Sequence, residues 1–148
     1  MTAIEKLQEL VDASSRIVAF SGAGWSTESG LPDFRSVDGL YQQKYRYKEN
    51  PEEFFAFYRS RMLYLDAKPN AAHKKLAELE QAGKLLAVVT QNIDGLHQLA
   101  GSRKVLELHG SVHRNYCTRC GKGYDARFIL ESEGIPRCSC GGIVKPDV

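Results

Sequence analysis

A chain of 148 residues with 43% apolar and 26% charged side chains is long enough for one domain with a real core. A net charge of +2 marks no nucleic-acid or membrane surface, and no apolar run approaches the ~20 residues of a membrane span. The N-terminal MTAIEKLQELVDASS lacks the apolar stretch of a signal peptide, so cytoplasmic placement is the expectation.

Ile4, Leu7, Leu10 and Val11 recur at helical spacing and predict a helix over residues 2–13. Arg16–Ser21 reads as a buried strand that ends on Gly22-Ala23-Gly24. That turn suits a phosphate approaching backbone N–H groups at a helix start. Packing alone also produces such turns, so both readings stand. A standard dinucleotide loop is excluded: position 27 is Thr where a third Gly belongs, and the next strand lies far beyond the usual ~20-residue spacing.

Residues 36–50 are polar, rich in Tyr and Lys, and read as a loop. Pro51-Glu52-Glu53 opens a helix that runs through FFAFYRSRMLYL, with acids at its positive end. Pro69 introduces another, NAAHKKLAELEQAG, stopped by Gly83. Leu85–Thr90 is a second buried strand, and Lys104–Leu108 a third that enters His109-Gly110. Strands alternating with helices predict an α/β fold: a Rossmann-like parallel sheet with helices on both faces. Only three strands are found where such sheets usually have more, so either the sheet is small or it is incomplete and the chain is part of a longer protein.

Four cysteines follow: Cys117-x2-Cys120, then 17 residues, then Cys138-x-Cys140. Two tight thiolate knuckles suit one tetrahedral, structural Zn²⁺, with no position open for catalytic water. Unmetallated buried thiols and disulfides are the competing readings. Residues 113–142 therefore form a small zinc-binding module, with 1–112 and 143–148 in the Rossmann-like part. A cofactor loop and small helical segment occupy about 33–68.

In an open parallel sheet, ligands gather beyond the carboxyl ends of the strands. Here those ends are Gly22-Ala23-Gly24, Gln91-Asn92-Ile93-Asp94 and His109-Gly110-Ser111. Together they bring a phosphate cradle, two amides, a carboxylate and an imidazole to one rim. Each has an ordinary reading on its own: Asp94 caps the next short helix, and His109 is structural. Their convergence favours an active site with His109 as general base.

Three long motifs run in order along nearly the whole chain: Gly22-Ala23-Gly24-x-Ser26-x-x-Ser29-Gly30-x-Pro32-Asp33-Phe34-Arg35, Thr90-Gln91-Asn92-Ile93-Asp94-Gly95-Leu96-His97, and Leu108-His109-Gly110-Ser111. With the cysteines, they resemble the sirtuins, NAD-dependent protein lysine deacylases, and bacterial members above all. The resemblance implies that Gly22, Ala23, Gly24 and Ser26 hold NAD, with Asp33, Phe34 and Arg35 in a mobile cofactor loop. Gln91 and Asn92 would approach the nicotinamide ribose, and Ile93 and Asp94 the nicotinamide carboxamide. Asn92 and His109 are the implied catalytic pair. Acyl-lysine peptides or proteins are the implied substrates; the products are nicotinamide, an O-acyl-ADP-ribose and free lysine. Zinc stays structural. A protein ADP-ribosyltransferase using the same NAD site, and an inactive zinc-stabilised fragment, are the alternatives. Tyr58-x-x-Arg61 matches a spacing that receives acidic acyl groups in some members; two ordinary surface residues is the competing reading.

Three departures qualify the resemblance. Position 25 is Trp where the family carries a mid-sized aliphatic, so its indole either crowds the cradle or turns away. The segment from Tyr41 to Pro51 is shorter than in the family. The family's further strands, which bind the adenosine half of NAD, do not follow Val148. The last point makes a fragment the expectation, with little or no deacylase activity from this chain alone.

Overall fold

The computed structural model describes residues 1–33 and 47–148. Phe34, Arg35 and most of the loop read over 36–50 lie outside the described residues. Helix α1 (Ala3–Ala13) leads into strand β1 (Ile17–Ser21) and a 3₁₀ segment, Ala23–Ser29. Helices α2 (Pro51–Arg61) and α3 (Ala71–Gln81) precede β2 (Leu85–Thr90), the short α4 (Leu96–Leu99) and β3 (Val105–Glu107). Then come β4 (Ser111–Cys117), β5 (Gly123–Tyr124), α5 (Ala126–Glu131) and β6 (Val144–Asp147).

Side chains fix the helix starts. Thr2 and Glu5 form a reciprocal capping box on α1. Asn50 accepts from Glu53 N at 3.2 Å ahead of Pro51, which suits the first helical position. Asn70 accepts from Ala72 N and His73 N, while His73 Nδ1 accepts from Asn70 N. Helix α2 stops at Arg61 and does not continue to Leu65 as the sequence suggested. The chain leaves the helix there so that Leu63 can enter the core.

Among the described residues, two three-stranded sheets result. The parallel sheet has the order β1-β2-β3, with Ser21 opposite Thr90 and Thr90 opposite Glu107. The antiparallel sheet has the order β5-β4-β6. Val144–Asp147 thus pairs with Ser111–Cys117 in the second sheet, whereas the sequence reading had returned 143–148 to the Rossmann-like part. The turn between the sheets is tight. Gly110 has φ +79°, and a Cβ there would lie 1.8 Å from the Asp147 carbonyl oxygen. Only glycine fits, because β6 closes directly against it.

The core is in two parts. Leu76 and Leu79 of α3 pack against Leu85, Val88, Ile17, Ala19, Val105 and Trp25 on one face of the parallel sheet. Phe55, Tyr58 and Leu63 join Val112, Cys117, Ala126, Ile129, Cys138 and Val144. The helix expected beside the cofactor loop therefore buries its apolar face on the cysteine module. Strand β1, read as fully buried, alternates: Val18 and Phe20 stay exposed on the face opposite α3. Leu106 and Leu108 are exposed as well, as are Ile4, Leu7 and Leu10 of α1.

Candidate functional site

The parallel ladder brings the three strand ends level. Gln91 N donates to Ser21 O at 3.0 Å, and Leu108 N to Thr90 O at 2.9 Å. Beyond that rim, Gly22 starts the 3₁₀ segment with no side-chain cap. A Cβ at Gly22 would stand 3.4 Å from Gln91 Oε1, while Gly24 has open space around it. The first turn thus presents bare backbone to the rim, as a bound phosphate requires.

Ser26 is the hub behind this turn. It is buried, donates to Asp94 Oδ2 at 2.6 Å, and accepts from Asn92 Nδ2 at 3.3 Å. Asn92 Nδ2 also donates to Gly22 O at 2.9 Å, tying the second strand end to the first. Buried His73 stands below, its Nε2 3.4 Å from Ser26 Oγ. Because His73 Nδ1 accepts from Asn70 N, the ring proton sits on Nε2 and points to Ser26. The serine hydrogen is thereby committed to Asp94. The other oxygen of Asp94 accepts from Leu96 N at 2.9 Å, so the carboxylate serves the short helix and the site together.

A second buried imidazole, His97, packs edge-on against His73 with centroids 4.9 Å apart and meets Ser21 Oγ at 2.8 Å. Burial, reinforced by the neighbouring His73 ring, pushes His97 down to about 4. Burial also lowers His73, against the opposing pull of Asp94. Both rings are neutral near pH 7. The sequence reading had not assigned His73, His97 or Ser21 to the site. The available signal was a histidine at the third position of α3, on the face that also carries Leu76 and Ala77.

The cleft is lined by Ala23, Ser26, Leu31, Pro32, Arg61 and Met62, with Tyr64, Asn92, Ile93 and Asp94 closing it. Asp33, next in the chain, is exposed. His109 is exposed at the rim, with Nδ1 3.1 Å from Gln91 O. A carbonyl only accepts, so Nδ1 carries the proton and Nε2 is left as the basic atom. Tyr58 and Arg61 part company. Arg61 lines the cleft, whereas Tyr58 is fully buried against Phe54 and Phe55, its hydroxyl without a partner among the described residues. Neither the converging pair nor the pair of surface residues describes them. Trp25 turns away from the cleft into the layer under α3.

The cysteines form the second constellation. The sulfurs of Cys117, Cys120, Cys138 and Cys140 all lie within 4.8 Å of one another. A Cβ at Gly142 would lie 2.6 Å from Cys117 Sγ and 2.8 Å from Arg119 Cβ, so the knuckles close only around glycine. Arg119 N and Cys120 N point at Cys117 Sγ. Four convergent sulfurs with backbone donors fit Zn²⁺, which would tie β4 to the segment before β6.

The profile of the Sir2 family matches residues 22–148. An NAD-dependent protein deacetylase of Clostridium perfringens is 56% identical over 159 aligned positions, covering 98% of this chain and 65% of the relative. One from Sulfolobus acidocaldarius is 48% identical, covering 97% and 62%. A solved Sir2–p53 peptide–NAD+ complex superposes with a TM-score of 0.87 at 43% identity, covering 99% of this chain and 63% of that one. The chain thus spans about 65% of the length of the Clostridium relative. That alignment is longer than the chain's 148 residues, so the relative also has residues that this chain lacks within the matched region.

Proposed function

The chain belongs to the Sir2 family, and on that premise we propose that it carries the nicotinamide side of an NAD-dependent protein lysine deacylase. The reaction is a group transfer: the amide oxygen of an acyl-lysine displaces nicotinamide from the ribose, a ribose hydroxyl takes over the acyl carbon, and one water releases free lysine and leaves O-acyl-ADP-ribose. The observation that carries this reading is the knot of Ser26, Asn92 and Asp94 beside the bare Gly22–Gly24 backbone, with basic Nε2 of His109 on the same rim.

NAD supplies the glycosidic bond that breaks; this chain's residues orient and move protons. Gly22, Ala23 and Gly24 face its phosphates with backbone N–H groups. Asp33 belongs to the cofactor loop with Phe34 and Arg35. Gln91 and Asn92 approach the nicotinamide ribose, and Asn92, held by Gly22 O and Ser26, is fixed for that task. Ile93 and Asp94 receive the carboxamide. Holding these groups in one geometry is the main catalytic contribution expected of such a site. His109 takes a proton from a ribose hydroxyl through Nε2. Zn²⁺ on Cys117, Cys120, Cys138 and Cys140 shapes the module and takes no chemical part. A cytoplasmic setting suits four free thiols. Acyl-lysine peptides are the substrates in this reading, and the presence of Arg61 in the cleft wall supports a preference for acidic acyl groups.

Calorimetric titration with NAD tests the reading directly. Heat is expected from the parent chain and much less from Asn92→Ala. No heat and no thermal shift from the parent would sink the proposal in favour of a non-catalytic zinc-stabilised module. Mass spectrometry of an acetyl-lysine peptide incubated with NAD separates the chemistries: loss of acetyl marks deacylation, and a gain of ADP-ribose marks transfer to protein. His109→Ala should abolish deacetylation while leaving NAD binding. For the acyl preference, Arg61→Met should weaken turnover of a succinyl peptide more than of an acetyl peptide; equal losses reject that role.

A further inference from the structure

The two knuckles of the metal centre are unequal. In Cys117-x2-Cys120, the first sulfur meets two backbone N–H groups, Arg119 N at 3.4 Å and Cys120 N at 3.5 Å. The second of these is the N–H of the closing cysteine itself, the third residue after Cys117. Cys138-Ser139-Cys140 closes one residue sooner. The corresponding N–H, that of Gly141, is turned instead to Cys138 O at 2.8 Å. The Cys138 sulfur is left with the backbone N–H of Cys140, where Cys117 meets two such groups.

A side chain faces the same sulfur. Tyr124 Oη lies 3.0 Å from Cys138 Sγ, closer than either N–H approaches Cys117. The tyrosine is not free to swing. Its residue pairs with buried Asn115 across β4 and β5, and its carbonyl accepts from Asn115 Nδ2 at 3.3 Å. Its ring lies against Phe128 with centroids 4.3 Å apart, and Lys122 Nζ stands 5.4 Å from its centre. Against a metal-bound thiolate, which only accepts, the phenol hydroxyl must be the donor.

We propose that Tyr124 is a positioning residue of the metal centre, its hydroxyl donating to Cys138 Sγ beside the backbone of the one-residue knuckle. Donors to a metal-bound thiolate orient it and hold it deprotonated, and losing such outer partners typically costs 10–100-fold in metal affinity. The proposal rests on the metal-centre reading, not on the deacylase reading.

The test uses the full chain, zinc-loaded, with Tyr124→Phe and the control Tyr116→Phe on the same sheet. The parent is expected to bind one zinc per chain; a parent that binds none overturns the metal centre and this role together. In excess chromogenic chelator, Tyr124→Phe should release zinc roughly ten times faster or more, and Tyr116→Phe at the parent rate. The cobalt-loaded proteins supply a signature that packing alone would not move. Loss of a hydrogen bond raises the energy of the sulfur lone pair, so the sulfur-to-cobalt charge-transfer band of Tyr124→Phe should shift to lower energy. Unchanged release overturns the proposal. So does faster release with an unmoved cobalt band, which would mean that the ring acts by packing.

Discussion

Trp25 places its indole between α3 and the parallel sheet, against Leu76, Leu85 and Val88, with its ring centre 6.4 Å from that of His97. The indole nitrogen has no partner among the described residues, which offsets part of what burying the ring contributes. Trp25→Ile should therefore destabilise the chain by about 1–2 kcal/mol in urea unfolding and leave NAD affinity unchanged. A large gain in affinity would show that the indole does obstruct the cradle. His97 gives a pH dependence. Its folded pKa of about 4 lies below the unfolded value, so the unfolded chain binds more protons between the two. The stability it contributes is fully present above about pH 6.5 and is lost as pH falls towards its folded value. Melting temperature should drop across that window, and His97→Gln should flatten the drop.

Among the elements, the antiparallel sheet depends most on something other than its own pairing. Strand β5 has two residues and β6 four, too few to hold a sheet without the cluster of Phe55, Tyr58 and Ile129 and the cysteine knuckles. Gly142 is the tightest point of the knuckles, since any Cβ would meet Cys117 Sγ and Arg119. Gly142→Ala should cut zinc stoichiometry sharply and broaden thermal unfolding, while Gly121→Ala, where a Cβ meets nothing within 4 Å, should keep the metal despite backbone strain at φ +75°. Equal zinc in both variants would mean that the knuckle can open around an extra carbon.

At the scale of the molecule, the parallel sheet buries one face only. Phe20 is 62% exposed and Leu108 54%, beside Val18 and Leu106, and α1 turns Ile4, Leu7 and Leu10 to solvent. Contiguous apolar surface of this kind favours self-association. Phe20→Ser should change urea stability by no more than about 0.5 kcal/mol and reduce association in sedimentation, whereas Val88→Ala, at a fully buried position, should cost about 2 kcal/mol. A cost for Phe20→Ser similar to that of Val88→Ala would show that its face is covered in solution. Among the described residues, no helix is long and apolar enough to cross a membrane.

Local signals determined a good deal here. Helical spacing placed α1, Pro69 and Gly83 bracketed α3, apolar runs placed β1, β2 and β3, and Pro51 marked the start of α2, because caps and periodicity act over a few residues. Cysteine spacing likewise indicated a metal centre, since chelation by tight knuckles is a local demand. Only the tertiary structure decided which face of each element is covered. It put α2 on the cysteine module, Val144–Asp147 beside β4, Tyr58 in the core and Arg61 in the cleft wall. It also joined His73 to Ser26 across 47 positions of sequence. Those outcomes depend on contacts between residues far apart in the chain, and no short-range pattern encodes which distant partner satisfies a buried hydroxyl or imidazole.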